Sequence, residues 1–142
     1  EGLRAALKIL GANPKELVQA DIRRLPFPDA FFDCAVAFSI LEHLKSHELS
    51  EALSELARVL QPGGQLLVGC PAVHPAMNLA FSAIGFSGIE NHHFSSIRDV
   101  VDKSVHDFRC EAIATWPGPL RMAPLGLAPY TAVRLRRLPN RK

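Results

Sequence analysis

Cysteine is scarce in this chain: there are three, at positions 34, 70 and 110. An odd number, widely spaced, argues against a disulfide framework and for small buried thiols in a reducing, cytoplasmic compartment. Charge of one sign is scarce too. The formal net charge is +2 over 142 residues, too small a surplus to point to nucleic acid. The basic residues that do gather, Arg134, Arg136, Arg137, Arg141 and Lys142, read as a solvated, frayed terminus. No apolar run is long enough to span a bilayer, no basic-then-apolar secretory leader is expected, and no internal repeat is visible. Apolar residues, by contrast, make up 48% of the chain. That is enough for a real core and excludes wholesale disorder. The length fits one domain, residues 1–142.

Local patterns give the elements. Leu3, Ala6, Leu7 and Leu10 share a helical face that Gly11 and Pro14 end. Leu17 to Ala20 is a short strand candidate leading to Asp21. The prolines of Leu25-Pro-Phe-Pro-Asp29 exclude regular helix. Phe31 to Phe38 is almost continuously apolar, as in a parallel strand covered on both faces. From Ser46 the period changes. Leu49, Leu53, Leu56 and Leu60 form a stripe, with Ser46 as the expected N-cap. Gln61-Pro-Gly-Gly64 reads as a turn in which a glycine supplies positive φ, and Gln65 to Cys70 as the next strand. A short helix is expected within His74 to Phe86. Ser95 or Ser96 caps another helix, with Asp99 completing a capping box and Ile97, Val100 and Val101 facing inward. Phe108 to Trp116 and Tyr130 to Leu135 read as strands, joined by a proline-rich loop over Pro117 to Pro129.

Four pieces of this text, VQAD at 18–21, LPFPDAFFD at 25–33, ILEHL at 40–44 and RVLQPGG at 58–64, together resemble the class I S-adenosylmethionine-dependent methyltransferases. They are most similar to the type-11 group related to the ubiquinone and menaquinone methyltransferases. NHHFS at 91–95 is a weaker match. The resemblance implies an α/β fold: a Rossmann-like sheet of order 3-2-1-4-5-7-6 with a C-terminal antiparallel strand pair. It also implies S-adenosylmethionine as cofactor and a small or amphipathic acceptor as substrate.

The same resemblance assigns roles. Asp21 would accept a hydrogen bond from the adenine amino group, and the backbone N–H of Ile22 would meet a ring nitrogen. Phe38, Ser39 and Ile40 would lie beside the methionine part of the cofactor. Glu42 and His43 would stand near the reacting group, histidine having a suitable pKa for a base. Related quinone O-methyltransferases carry a further acid where this chain has Ser39. Adjacent residues point different ways, so at most one of His92 and His93 faces the pocket. Cys70, His74, His92 and His93 match no compact zinc pattern, and no metal is expected.

The family's glycine-rich cofactor loop and ribose-binding acid are expected before Asp21, so the chain reads as N-terminally truncated, lacking the first two strands. Such a piece is expected to bind the cofactor weakly and to self-associate through unpaired sheet edges. The alternative is a catalytically inactive methyltransferase-like binding or scaffold module.

Overall fold

The computed structural model describes residues 18–71, 93–116 and 129–139. The helices expected around residues 3–10 and 74–86, and most of the 117–129 loop, lie outside the described residues. Four strands and two α-helices follow in order: β1 (Phe32–Phe38), a 3-10 turn (Leu41–His43), α1 (Ser46–Val59), β2 (Leu60–Pro71), α2 (Ile97–Ser104), β3 (Phe108–Trp116) and β4 (Tyr130–Arg137).

The sheet order is β1-β2-β4-β3. β1 and β2 are parallel, while β4 runs antiparallel to both β2 and β3. This matches the expected 4-5-7-6 half of the family sheet, with its antiparallel strand pair. Both helices pack on one face. Leu49, Leu53 and Leu56 of α1 and Ile97 and Val100 of α2 close over Leu66, Val68, Val133 and Leu135 of β2 and β4. The stripe visible in the sequence is therefore the core-facing side of α1.

Four expectations need correction. Val18 to Ala20 form no strand, and Asp21 makes only an isolated bridge to Arg24. A strand needs a hydrogen-bonded neighbour, and among the described residues none lies beside it. β1 is not covered on both faces: Val36 is 58% exposed and Phe38 49%. Among the described residues β1 and β3 are the two sheet edges.

The N-cap of α1 is Lys45, not Ser46, and Glu48 reaches back to accept from the Lys45 N–H at 2.9 Å. Finally, Gln61-Pro-Gly-Gly64 does not separate two elements. β2 runs through it as a bulge, with Phe32 opposite Leu60 and Cys34 opposite Gln65. Gly63 takes the positive φ (+81°) that the sequence called for there.

The capping box of α2 forms as read. Ser96 Oγ accepts from Asp99 N at 3.3 Å, and Asp99 Oδ2 accepts from Ser96 N at 2.8 Å. Of the basic C-terminal residues, the three described ones are tied down rather than frayed. Arg134 and Arg136 both pair with Glu111, and Arg137 donates to the Leu60 carbonyl. Only Cys70 is buried; Cys34 and Cys110 are exposed, and all three are free thiols. Among the described residues no helix is long and apolar enough to cross a membrane.

Candidate functional site

The carboxyl ends of β1 and β2 and the first residue of β4 meet at one end of the sheet. Ser39 ends β1 with φ +53°, a left-handed conformation costing a serine about 1 kcal/mol. Its N–H donates to the Gly69 carbonyl at 2.8 Å, and its Oγ lies 3.4 Å from the Tyr130 hydroxyl. Gly69 is what lets these groups meet. A Cβ there would stand 2.7 Å from both Phe38 Cε1 and Tyr130 Oη. The aromatic ring and the hydroxyl therefore occupy the space of the absent side chain. Tyr130 was read from the sequence only as a strand residue. It sits 91 positions from Ser39, and no local pattern could join the two.

The 3-10 turn carries Leu41, Glu42 and His43 away from the strand tip. Leu41 and Glu42 are buried, whereas Ile40 and His43 are exposed. The Glu42 carbonyl accepts from Phe94 N (2.7 Å) and Ser95 N (3.1 Å), and Ser95 Oγ donates to the Leu44 carbonyl (2.6 Å). These three bonds fasten residues 93–95 to the turn. His93, rather than His92, is the described histidine beside it. Its ring centroid is 5.1 Å from that of His43, at 66°.

Ligand atoms of Glu42, His43 and His93 all lie within 4.8 Å of one another. The Glu42 carboxylate is 1% exposed, and neither oxygen accepts a hydrogen bond from a described residue. Cys70, at the end of β2, borders this carboxylate. Burial, then the Glu42 charge, pushes its thiol up to about 12, so it stays protonated at neutral pH.

Asp21 lies at the same end of the molecule. Arg23 bonds its carboxylate through Nε (3.0 and 3.1 Å) and Nη2 (2.7 Å), and extends Nη1 to Glu48 in the first turn of α1 (2.9 Å). The Arg23 side-chain bonds hold the Asp21 carboxyl down at about 2. Ile22 packs against the core. The fold thus brings Asp21 and Ile22, the Phe38-Ser39-Ile40 tip, and Glu42 with His43 to one end.

A titration follows from the Arg23 geometry. The carboxyl resonance of Asp21 is expected to move with a midpoint near pH 2, and Arg23→Ala is expected to raise that midpoint toward the ordinary aspartate range. Because the folded-state value is depressed, the pairing contributes to stability in full above about pH 4. It fades as pH falls through 2. An unchanged midpoint in the variant would show that Arg23 does not hold this carboxylate.

The comparisons agree with the geometry. A family model described as a methyltransferase domain (type 11) matches residues 1–68. A ubiquinone/menaquinone biosynthesis C-methyltransferase of Pseudomonas fluorescens is 40% identical over 74 residues, which are 51% of this chain and 28% of that relative. The match therefore spans less than a third of the relative's length. Among solved structures, a methyltransferase from Thermotoga maritima, described as a possible histamine N-methyltransferase, superposes with TM-score 0.68 at 18% identity. It covers 96% of this chain and 70% of its own. The N-methyltransferase NodS from Bradyrhizobium japonicum, solved with S-adenosyl-L-homocysteine, superposes with TM-score 0.58 at 16% identity, covering 84% and 53%. At these identities the solved structures speak for the fold alone. A type-11 methyltransferase model thus matches the first 68 residues, just under half of the chain, and the described sheet has the fold of the solved methyltransferases.

Proposed function

We propose that this chain forms the acceptor-side portion of a methyltransferase that moves a methyl group from S-adenosylmethionine to a small or amphipathic acceptor. The observation that carries this reading is the gathering of Asp21, Ser39 and the Glu42-His43 turn at the carboxyl end of a parallel strand pair. Open α/β sheets bind their ligands there.

The donor chemistry at position 21 suits the cofactor's adenine. An ionised carboxylate only accepts hydrogen bonds, and an exocyclic amine donates them. Arg23 has Glu48 as a second anchor, so it can hold Asp21 in place while leaving part of the carboxylate to another donor. The N–H of Ile22 is assigned to a ring nitrogen of the adenine. Phe38, Ser39 and Ile40 are assigned to the methionine end. When bound, the sulfonium cofactor supplies an activated methyl carbon with a good leaving group, so positioning does most of the catalytic work. What remains for the protein is to exclude water, to orient the acceptor and to take its proton where it has one. The exposed His43 ring fits that last task. The domain is proposed to be single, and a cytoplasmic setting is proposed from the unpaired cysteines.

One observation favours the second reading, an inactive binding or scaffold module: Arg23 already satisfies much of the Asp21 carboxylate. Thermal unfolding with and without S-adenosylmethionine, on this chain and on a version extended upstream, separates the two. A ligand at a hundred times its dissociation constant adds about 2.7 kcal/mol of stability. That shift is expected in the extended protein. Its absence at millimolar ligand would leave the scaffold reading standing and sink the enzyme.

A further inference from the structure

We propose that Glu42, His43 and His93 form a binding site for a divalent first-row transition ion beside the strand tips. The first support is convergence. Two stretches fifty residues apart in sequence present one carboxylate and two imidazoles with all ligand atoms within 4.8 Å of each other. Donors held about 2.0–2.2 Å from a tetrahedral ion stand roughly 3.4 Å apart. The set therefore has to draw in by little more than about 1 Å to close on an ion.

The second support is the state of Glu42. Its side chain is 1% exposed, and neither oxygen receives a hydrogen bond from a described residue. Burying a carboxyl group without a hydrogen-bond partner is unfavourable. A bound dication gives that buried carboxyl group a partner.

The backbone is ready for the ion. Phe94 N and Ser95 N on the Glu42 carbonyl, and Ser95 Oγ on the Leu44 carbonyl, fix the two stretches against each other before any ion arrives. Two nitrogens and one oxygen select zinc, cobalt, nickel or ferrous iron over magnesium and calcium, which take oxygen shells. Three protein ligands leave a coordination position open. His43 is exposed, so that position is open to solvent; with the ion bound, His43 acts as a ligand and not as the base proposed above.

The test uses the 142-residue chain stripped by chelator, with zinc alone as the probe, so its outcome does not depend on methyl transfer. Calorimetry is expected to show one ion per chain and little response to magnesium. Glu42→Gln, His43→Ala and His93→Ala are each expected to weaken zinc binding by at least about 10-fold, while His106→Ala, remote from the cluster, leaves it within about twofold. Metal-free Glu42→Gln is expected to unfold at the same or a higher temperature than the metal-free parent, because the amide replaces a buried carboxyl group that has no hydrogen-bond partner among the described residues. Should that variant misfold, the exposed His43→Ala answers the question alone, with circular dichroism confirming its fold. Zinc affinity unchanged in His43→Ala and His93→Ala would overturn the site. So would a folded chain that takes up no zinc at about 100 µM, a concentration far above the Kd that structural and catalytic zinc sites reach.

Discussion

Leu53→Ala is expected to lower the unfolding free energy by about 3 kcal/mol, within the range of roughly 2–5 kcal/mol found for leucine truncations in packed cores. Leu53 is 1% exposed, in the middle of the α1 stripe, between Leu49 and Leu56 and above the β2–β4 core. Its removal deletes the buried methyl groups and leaves a cavity that a short helix held at both ends fills poorly. Small domains have only about 5–15 kcal/mol to lose, so urea unfolding should show the loss directly. Glu51→Ala, on the exposed side of the same helix, is expected to stay within about 0.5 kcal/mol. The expected loss also matches what a saturating ligand returns, about 2.7 kcal/mol at a hundred times its dissociation constant. In an upstream-extended protein, S-adenosylmethionine should therefore restore the Leu53→Ala variant to roughly the stability of the unliganded parent. A loss below about 1 kcal/mol would mean that α1 does not pack as described.

The same residues show what could be read in the sequence. The α1 stripe was legible because helical periodicity depends only on neighbours three and four positions apart. The Ser96–Asp99 box and the positive φ at Gly63 are equally local, and both formed. The spans of β3 and β4 were legible from β-rich runs bounded by prolines and turns. What stayed hidden depends on distant partners. Nothing near Asp21 says that Arg23 will reach its carboxylate and Glu48 together. Nothing near position 130 says that its hydroxyl will stand over Gly69. The exposure of β1 was hidden for the same reason, since an apolar strand looks alike whether or not both faces are covered. Of the candidate site, the positions 21, 38–40 and 42–43 came from family resemblance, and the fold places them at one end. The approach of His93 to the turn that carries Glu42 rests on bonds from the N–H groups of residues 94 and 95, whose partner no local pattern identifies.

Gly69→Ala is the second large effect, and here the damage is to the site more than to the fold. The added methyl would stand 2.7 Å from Phe38 Cε1 and Tyr130 Oη, nearer than van der Waals contact permits. The Phe38 ring is half exposed and can swing aside, so overpacking should cost only about 1–2 kcal/mol. That swing moves the ring proposed to flank the methionine end of the cofactor and parts the Tyr130 hydroxyl from Ser39. A displacement of about 1 Å at such a position can cost a hundredfold in rate. In an upstream-extended protein, affinity for S-adenosylhomocysteine by calorimetry is expected to fall at least about 10-fold, against a modest drop in melting temperature. Equal affinity in parent and variant would mean that the ring and hydroxyl above Gly69 lie outside the ligand's reach.

The three hydrogen bonds that tie residues 94 and 95 to the turn after β1 carry a consequence for how this chain can vary. The chain leaves the sheet at Pro71 and is recaptured at Phe94 and Ser95, where two of the three bonds run from main chain to main chain and are indifferent to side-chain identity. Whatever lies between can be lengthened, shortened or rewritten without shifting the register of the two anchor points. Changes of that kind leave the two main-chain bonds available, and with them the position of the Glu42-His43 turn.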